Sequence, residues 1–261
     1  MQTQTIVPSP HSPRAAVVSF FTAHPVLSSV FLSAAFIVIS TLSGLAATKI
    51  LPQFQPEFVA LITLSALMAL TLSALGWWKA AGFNVSAEWR DSRLTVIPFL
   101  IVLGLPFLMG IKTTDPGTFL YLAVAYALTS FMEEGLMRGI ILHILKPTGV
   151  TRSIILSSLL FGLIHIGNLL YRNPFIVLAQ IIGAFVHGIG LGAIRLRTNT
   201  IWFPVLLHAL HDLALKYTNF PVIPLDVVQV TLLMLYGVYL LKDWKRAGKE
   251  AVITADTPAA G

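Results

Sequence analysis

An all-α, polytopic membrane fold of about eight transmembrane helices, with both termini cytoplasmic, follows from three observations. First, 56% of the 261 residues are hydrophobic, only 11% are charged, and the mean hydropathy is +0.82. A soluble domain is typically about 45–50% apolar and about 25% charged. Second, eight apolar segments approach or exceed the ~20 residues that cross a bilayer. Third, the basic residues sort by side, as the positive-inside rule requires of a chain with an even number of crossings.

The segments run roughly over 26–46, 58–78, 95–112, 118–145, 153–171, 174–194, 200–217 and 224–241. On one side of the membrane lie Arg14, Lys79, Arg90, Arg93, Lys146, Arg152, Arg195, Arg197 and the run Lys242, Lys245, Arg246, Lys249. The other side holds Lys49, Lys112, Arg172 and Lys216, a split of 12 to 4 with Arg138 inside a helix. Adding or removing one helix scrambles this split. Trp77, Trp78 and Trp89 flank the second connection and mark the headgroup level.

The domain reading is simple. Residues 1–25 form an N-terminal tail whose patch Ala15 to Phe21 suits the interface, and 26–241 form one transmembrane domain. Residues 242–261 read as a basic stop followed by a disordered tail. No basic segment leads into a cleavable signal core, and no internal repeat is visible. With no cysteine there is no disulfide framework, no Cys-ligated zinc and no palmitoylation site. The formal charge of +6 is accounted for by cytoplasmic loops, so nucleic acid is not an expected partner.

Three clusters interrupt the apolar runs: Glu133-Glu134-Gly135-Leu136-Met137-Arg138, Phe161-Gly162-Leu163-Ile164-His165, and His208-Ala209-Leu210-His211-Asp212. Ionisable groups at such depth cost several kcal/mol and are kept for use. At 1.5 Å per residue, Glu133 lies roughly 22 Å from the outer surface, and His165 and His208 roughly 18 and 12 Å from the cytoplasmic one. All three therefore fall between mid-membrane and the cytoplasmic third, where they can meet.

Glu134 and Arg138 stand in the favourable i, i+4 order for a helical ion pair, which braces the helix. Glu133 is rotated about 100° from its neighbour and is free for chemistry. His208 and Asp212 share one helical face, and His211 sits on the next row, placed to back them. Two chemistries remain open. Glu133 can activate a water that His165 helps to hold, while His208 and Asp212 stabilise an oxyanion. Alternatively Glu133, His165 and His208 can bind zinc, with Asp212 beside them. No HExxH motif is present. Phe161, His143 and His187 read as packing or satisfied interior groups, and Gly183, Gly188, Gly190 and Gly192 as sites of close helix approach. Intramembrane carboxylates and histidines also serve transporters, but the inverted repeats of such folds are not visible.

The ordered series EExxxR, FxxxH and Hxxx(N/D) resembles the CPBP intramembrane protease family, which includes CAAX prenyl endopeptidases and the bacteriocin-processing or immunity proteins called Abi. The resemblance covers residues about 118–217. It implies an eight-helix fold, a cavity open to the cytoplasm and hydrolysis of a peptide bond in a membrane-anchored peptide or protein, a lipidated tail among them. It assigns Glu133 to the catalytic glutamate, Glu134 to the second acid and Arg138 to the end of the first motif. His165 is then the histidine of the second motif, and His208 and Asp212 belong to the third. Eukaryotic prenyl endopeptidases have Asn where this chain has Asp212. An amide donates to an oxyanion directly, whereas Asp212 must be protonated to do so or must act through His208 or a metal. A non-catalytic immunity or regulatory protein is the alternative from another class, against which the complete catalytic set argues. The short tails and lack of cysteine fit a prokaryotic plasma membrane.

Overall fold

The computed structural model describes residues 13–85 and 92–246. Trp89 and Arg90, the first twelve residues and the tail beyond 246 lie outside the described residues. The described chain is helical throughout, in the order α1 (Pro13–Ala23), α2 (Pro25–Ile50), α3 (Pro56–Leu75), α4 (Ser92–Leu108) and α5 (Pro116–Glu134). The last continues without a break through a π-helical segment (Gly135–Ile141) into α6 (Leu142–Leu145). Then follow α7 (Val150–Ile164), a 3₁₀ stretch (His165–Leu170), α8 (Pro174–Thr198), α9 (Trp202–Tyr217) and α10 (Val222–Arg246).

Proline opens α2, α3, α5 and α8 at their first turns, where its missing N–H leaves nothing unpaired. Asp115 caps α5 by accepting the Thr118 N–H at 2.9 Å, and Asn173 caps α8 by accepting from Phe175 N–H. Gly76 ends α3 in the left-handed conformation (φ 63°), which a β-carbon disfavours.

Every apolar segment expected from the sequence contains helix, but not every helix is equally long. Among the described residues, five spans are long and apolar enough to cross a membrane: Pro25–Ile50, Pro56–Leu75, Val150–Leu170, Pro174–Thr198 and Val222–Asp243. The other three segments differ for visible reasons. Helix α4 has 17 residues with Pro98 and Pro106 inside it. The 118–145 segment is split by the π turn, and α9 has 16 residues. The patch at Ala15–Phe21 forms α1, whose Phe21 ring packs 5.9 Å from Trp77.

The outside of the bundle is apolar and part of the inside is polar, the pattern of a protein solvated by lipid. Phe31, Leu70, Leu100 and Ile176 are exposed, while α2 buries Ser28, Ser29 and Ser33. The hydroxyls of Ser29 and Ser33 donate back to the Pro25 and Ser29 carbonyls at 2.7 and 2.9 Å. One core cluster joins α2, α3, the π segment and α7 around Met137, Ile140 and Phe161; a second joins α4, α8, α9 and α10 around Leu191, Leu207 and Leu233.

Two glycines set the tightest crossings. A β-carbon at Gly162 would lie 2.6 Å from the Ile181 carbonyl oxygen, between α7 and α8. One at Gly190 would lie 2.7 Å from that of Leu233, between α8 and α10. The first helix pair thus carries the His165 end of α7 against α8, and the second holds α10 beside the same helix.

Candidate functional site

The site is built where α5 gives way to the π segment. A π turn adds a residue to each turn of helix and is commonly retained at functional sites. Here it begins directly after Glu133 and Glu134, and Ser157 of α7 ties it down by donating to the Met137 carbonyl at 2.7 Å. Glu134 is fully buried and serves two partners. Its Oε2 lies 3.2 Å from Arg138 Nε, and its Oε1 accepts a hydrogen bond from His208 Nδ1 at 2.9 Å. The Arg138 contact is an ion pair by distance, but its angle is not that of a hydrogen bond. Room for the Arg138 guanidinium comes from Gly188, where a β-carbon would approach its nitrogen to 2.9 Å.

His208 is the centre of the arrangement. With Nδ1 committed to Glu134, its Nε2 faces two further carboxylates, Glu133 Oε2 at 3.8 Å and Asp212 Oδ2 at 3.7 Å. These distances exceed a hydrogen bond. They leave the three groups around a common point without joining them. Glu133 and Asp212 keep 12% and 26% of their side-chain surface exposed, whereas Glu134 keeps none, so only the first two remain accessible. Two adjacent glutamates of one helix thereby meet one imidazole through its opposite nitrogens.

His165 closes α7. Its Nδ1–H donates to the Phe161 carbonyl one turn back at 2.9 Å, which leaves Nε2 as the acceptor of the neutral ring. Phe161, 2% exposed, holds the cluster together from beneath. Arg138 sits over its face at 4.2 Å, and His165 and His208 approach its edge at 5.3 and 5.9 Å. A desolvated guanidinium over a ring contributes about 2 kcal/mol.

The structure thus brings together Glu133, Glu134, Arg138, Phe161, His165, His208 and Asp212 from three helical stretches. His211 is turned away from Glu133. Its Nε2 pairs with Asp226 Oδ1 of α10 at 3.0 Å, and His187 of α8 fills the space between it and His208, with ring centroids 4.7 and 5.4 Å away. Asp226 had not been singled out from the sequence. The signal was present, an acid in an apolar helix, but it lies near the end of the segment, where charges ordinarily mark a membrane boundary. His143 packs edge-on to Trp77 at 4.8 Å, away from the site.

Among the described residues, no three His, Asp or Glu side chains are grouped so that they can hold a metal ion as they stand. His208 and His165 each commit Nδ1 to an acceptor and keep Nε2 free, an arrangement that zinc-ligating histidines share. What the arrangement can do without a metal is general acid–base chemistry: a largely buried carboxylate, a histidine acceptor and an anchored imidazole lie close together.

Residues 115–214 match the family model described as type II CAAX prenyl endopeptidase Rce1-like. The matched stretch, 100 of the 261 residues, contains all three motifs; that core is similar to the CPBP/CAAX-protease family, and the match supports an intramembrane peptidase in general class. No curated protein matches the chain.

Proposed function

We propose that this protein is an intramembrane endopeptidase that hydrolyses a peptide bond of a membrane-anchored substrate with water activated by Glu133. The observation that supports it is the setting of His208, whose Nδ1 is held by Glu134 while Nε2 faces Glu133 and Asp212 at 3.8 and 3.7 Å.

The water rests between Glu133 and His165 Nε2, which accepts one of its hydrogens. Glu133 takes the other proton as the water oxygen bonds to the carbonyl carbon of the scissile amide. In its doubly protonated form His208 points Nε2–H at the resulting oxyanion, and the Asp212 carboxylate helps hold that charge in place. Asp212 therefore acts through His208 instead of donating to the oxyanion itself. Glu133 then passes its proton to the amide nitrogen, the C–N bond breaks, and the carboxylic acid formed gives its remaining proton to the freed amine, so that a carboxylate and an ammonium group leave. Arg138 neutralises Glu134 from its other side, so the buried carboxylate can hold His208 at a fixed angle.

The substrate class that fits is a lipidated or otherwise membrane-anchored C-terminal peptide. Both termini and the site's opening face the cytoplasm, in a prokaryotic plasma membrane. The test is cleavage of a farnesylated CAAX-type peptide by the purified full chain in nanodiscs, read by mass spectrometry. Wild type is expected to release the C-terminal tripeptide and a folded Glu133→Gln variant to release none. Equal cleavage by the two proteins overturns the role of Glu133. A folded wild type that cleaves neither this peptide nor a panel of leader and transmembrane peptides overturns the protease reading.

A further inference from the structure

Away from the catalytic cluster, a cavity of about 530 Å³ lies between α4, the start of α5 and α9. Leu103 and Phe107 of α4, Phe119 of α5, and Leu210, Leu213 and Tyr217 of α9 line it. At 100° per residue, Leu210, Leu213 and Tyr217 fall on the side of α9 opposite His208 and Asp212. The cavity is therefore separate from the catalytic space, with α9 as the wall between them.

Its mouth is rigid and carries one cation. Lys112 N–H donates to the Tyr217 carbonyl at 2.7 Å, and Asn219 N–H to the Gly110 carbonyl at 3.1 Å, clamping the α4–α5 connection to the end of α9. Lys112 and Thr114 lie in the lining there. The neighbouring acid, Asp115, is occupied as the cap of α5. In the wall, Tyr217 is 9% exposed, and its hydroxyl has no hydrogen-bond partner. A buried hydroxyl of this kind is costly unless a ligand or water satisfies it.

We propose that this cavity is a binding site for an anionic membrane lipid, with one hydrocarbon chain inside it and the charged head on Lys112. An apolar interior with a single cation at its edge matches an amphiphile of that charge. A polar peptide would leave its backbone groups unpaired against Leu103, Phe107 and Phe119. The site rests on the membrane reading alone and not on catalysis.

The experiment is native mass spectrometry of the full chain released from nanodiscs containing equal phosphatidylglycerol and phosphatidylcholine. Wild type is expected to retain one phosphatidylglycerol in at least fivefold preference. Ala214→Phe, which fills the cavity, is expected to lower total retention at least fivefold. Lys112→Gln keeps the backbone clamp, and in that variant the preference is expected to vanish while a lipid is still carried. Wild type that retains no lipid, or both lipids equally, overturns the proposal, as does a Lys112→Gln protein with undiminished preference. The readout does not involve hydrolysis, so it stands apart from failure of the protease reading.

Discussion

At the residue scale, two adjacent acids have separate tasks because their surroundings differ. Glu134 is sealed between Arg138 and His208, while Glu133 retains access to the opening. Glu133→Gln should therefore leave the unfolding temperature near wild type and lower the cleavage rate by about 10²–10⁴, the range that a positioned general base contributes. Glu134→Gln should also destabilise the fold. It strands a buried guanidinium, a loss of about 3–5 kcal/mol, visible as a fall in thermal stability in detergent. Asp212→Asn provides a sharper test of the acid that departs from the prenyl-endopeptidase pattern. An amide can donate directly to the oxyanion, so this variant should keep activity to within about tenfold in the same peptide assay. If Glu133 activates the water without a metal, prior treatment with a chelator should leave the wild-type rate unchanged.

At the scale of elements, the site depends on helices that approach unusually closely. Gly190 lets α10 lie against α8, and Gly188 leaves space for Arg138 above Phe161. Replacing Gly190 with Val forces a side chain into a backbone carbonyl, which cannot swing aside as a side chain can. We expect a loss of about 1–3 kcal/mol, read as a lower unfolding temperature by circular dichroism. Gly188→Val should instead push the guanidinium off Phe161 and loosen Glu134, lowering cleavage with a smaller change in stability. The π segment matters for the same reason. It carries Arg138 one turn past Glu134 while the Ser157 hydroxyl holds the widened turn to α7.

At the scale of the whole molecule, the charge split along the sequence makes a topological prediction. The chain has no native cysteine, so single cysteines report without interference. A cysteine replacing Arg152 should react with a membrane-impermeant thiol reagent only from the cytoplasmic face of sealed vesicles. One replacing Arg172 should react only from the other face. Labelling of both positions from one side would rule out the single crossing between them and, with it, the eight-span arrangement. Five spans satisfy length and composition directly, and the remaining crossings depend on α4, on α5 with its π extension, and on α9. These are the short or interrupted helices, and two of them carry Glu133, His208 and Asp212.

The sequence by itself determined that the molecule is an all-α membrane protein and which polar groups interrupt its apolar runs. Apolar runs of bilayer length are local facts, and an ionisable residue within one is conspicuous wherever it ends up in space. Glu133, His165, His208 and Asp212 were legible for that reason, as was the i, i+4 pairing of Glu134 with Arg138. Their partners across helices were not. That Glu134 and not Glu133 takes His208 Nδ1, that Phe161 lies under the guanidinium, and that His211 turns to Asp226 were decided only by the tertiary structure. The π turn that interrupts the 118–145 helix was equally hidden, since its residues are as apolar as those of an ordinary transmembrane helix. Helical periodicity fixes which residues share a face, but the neighbour that a face meets depends on how helices distant in sequence cross and how closely their glycines let them come.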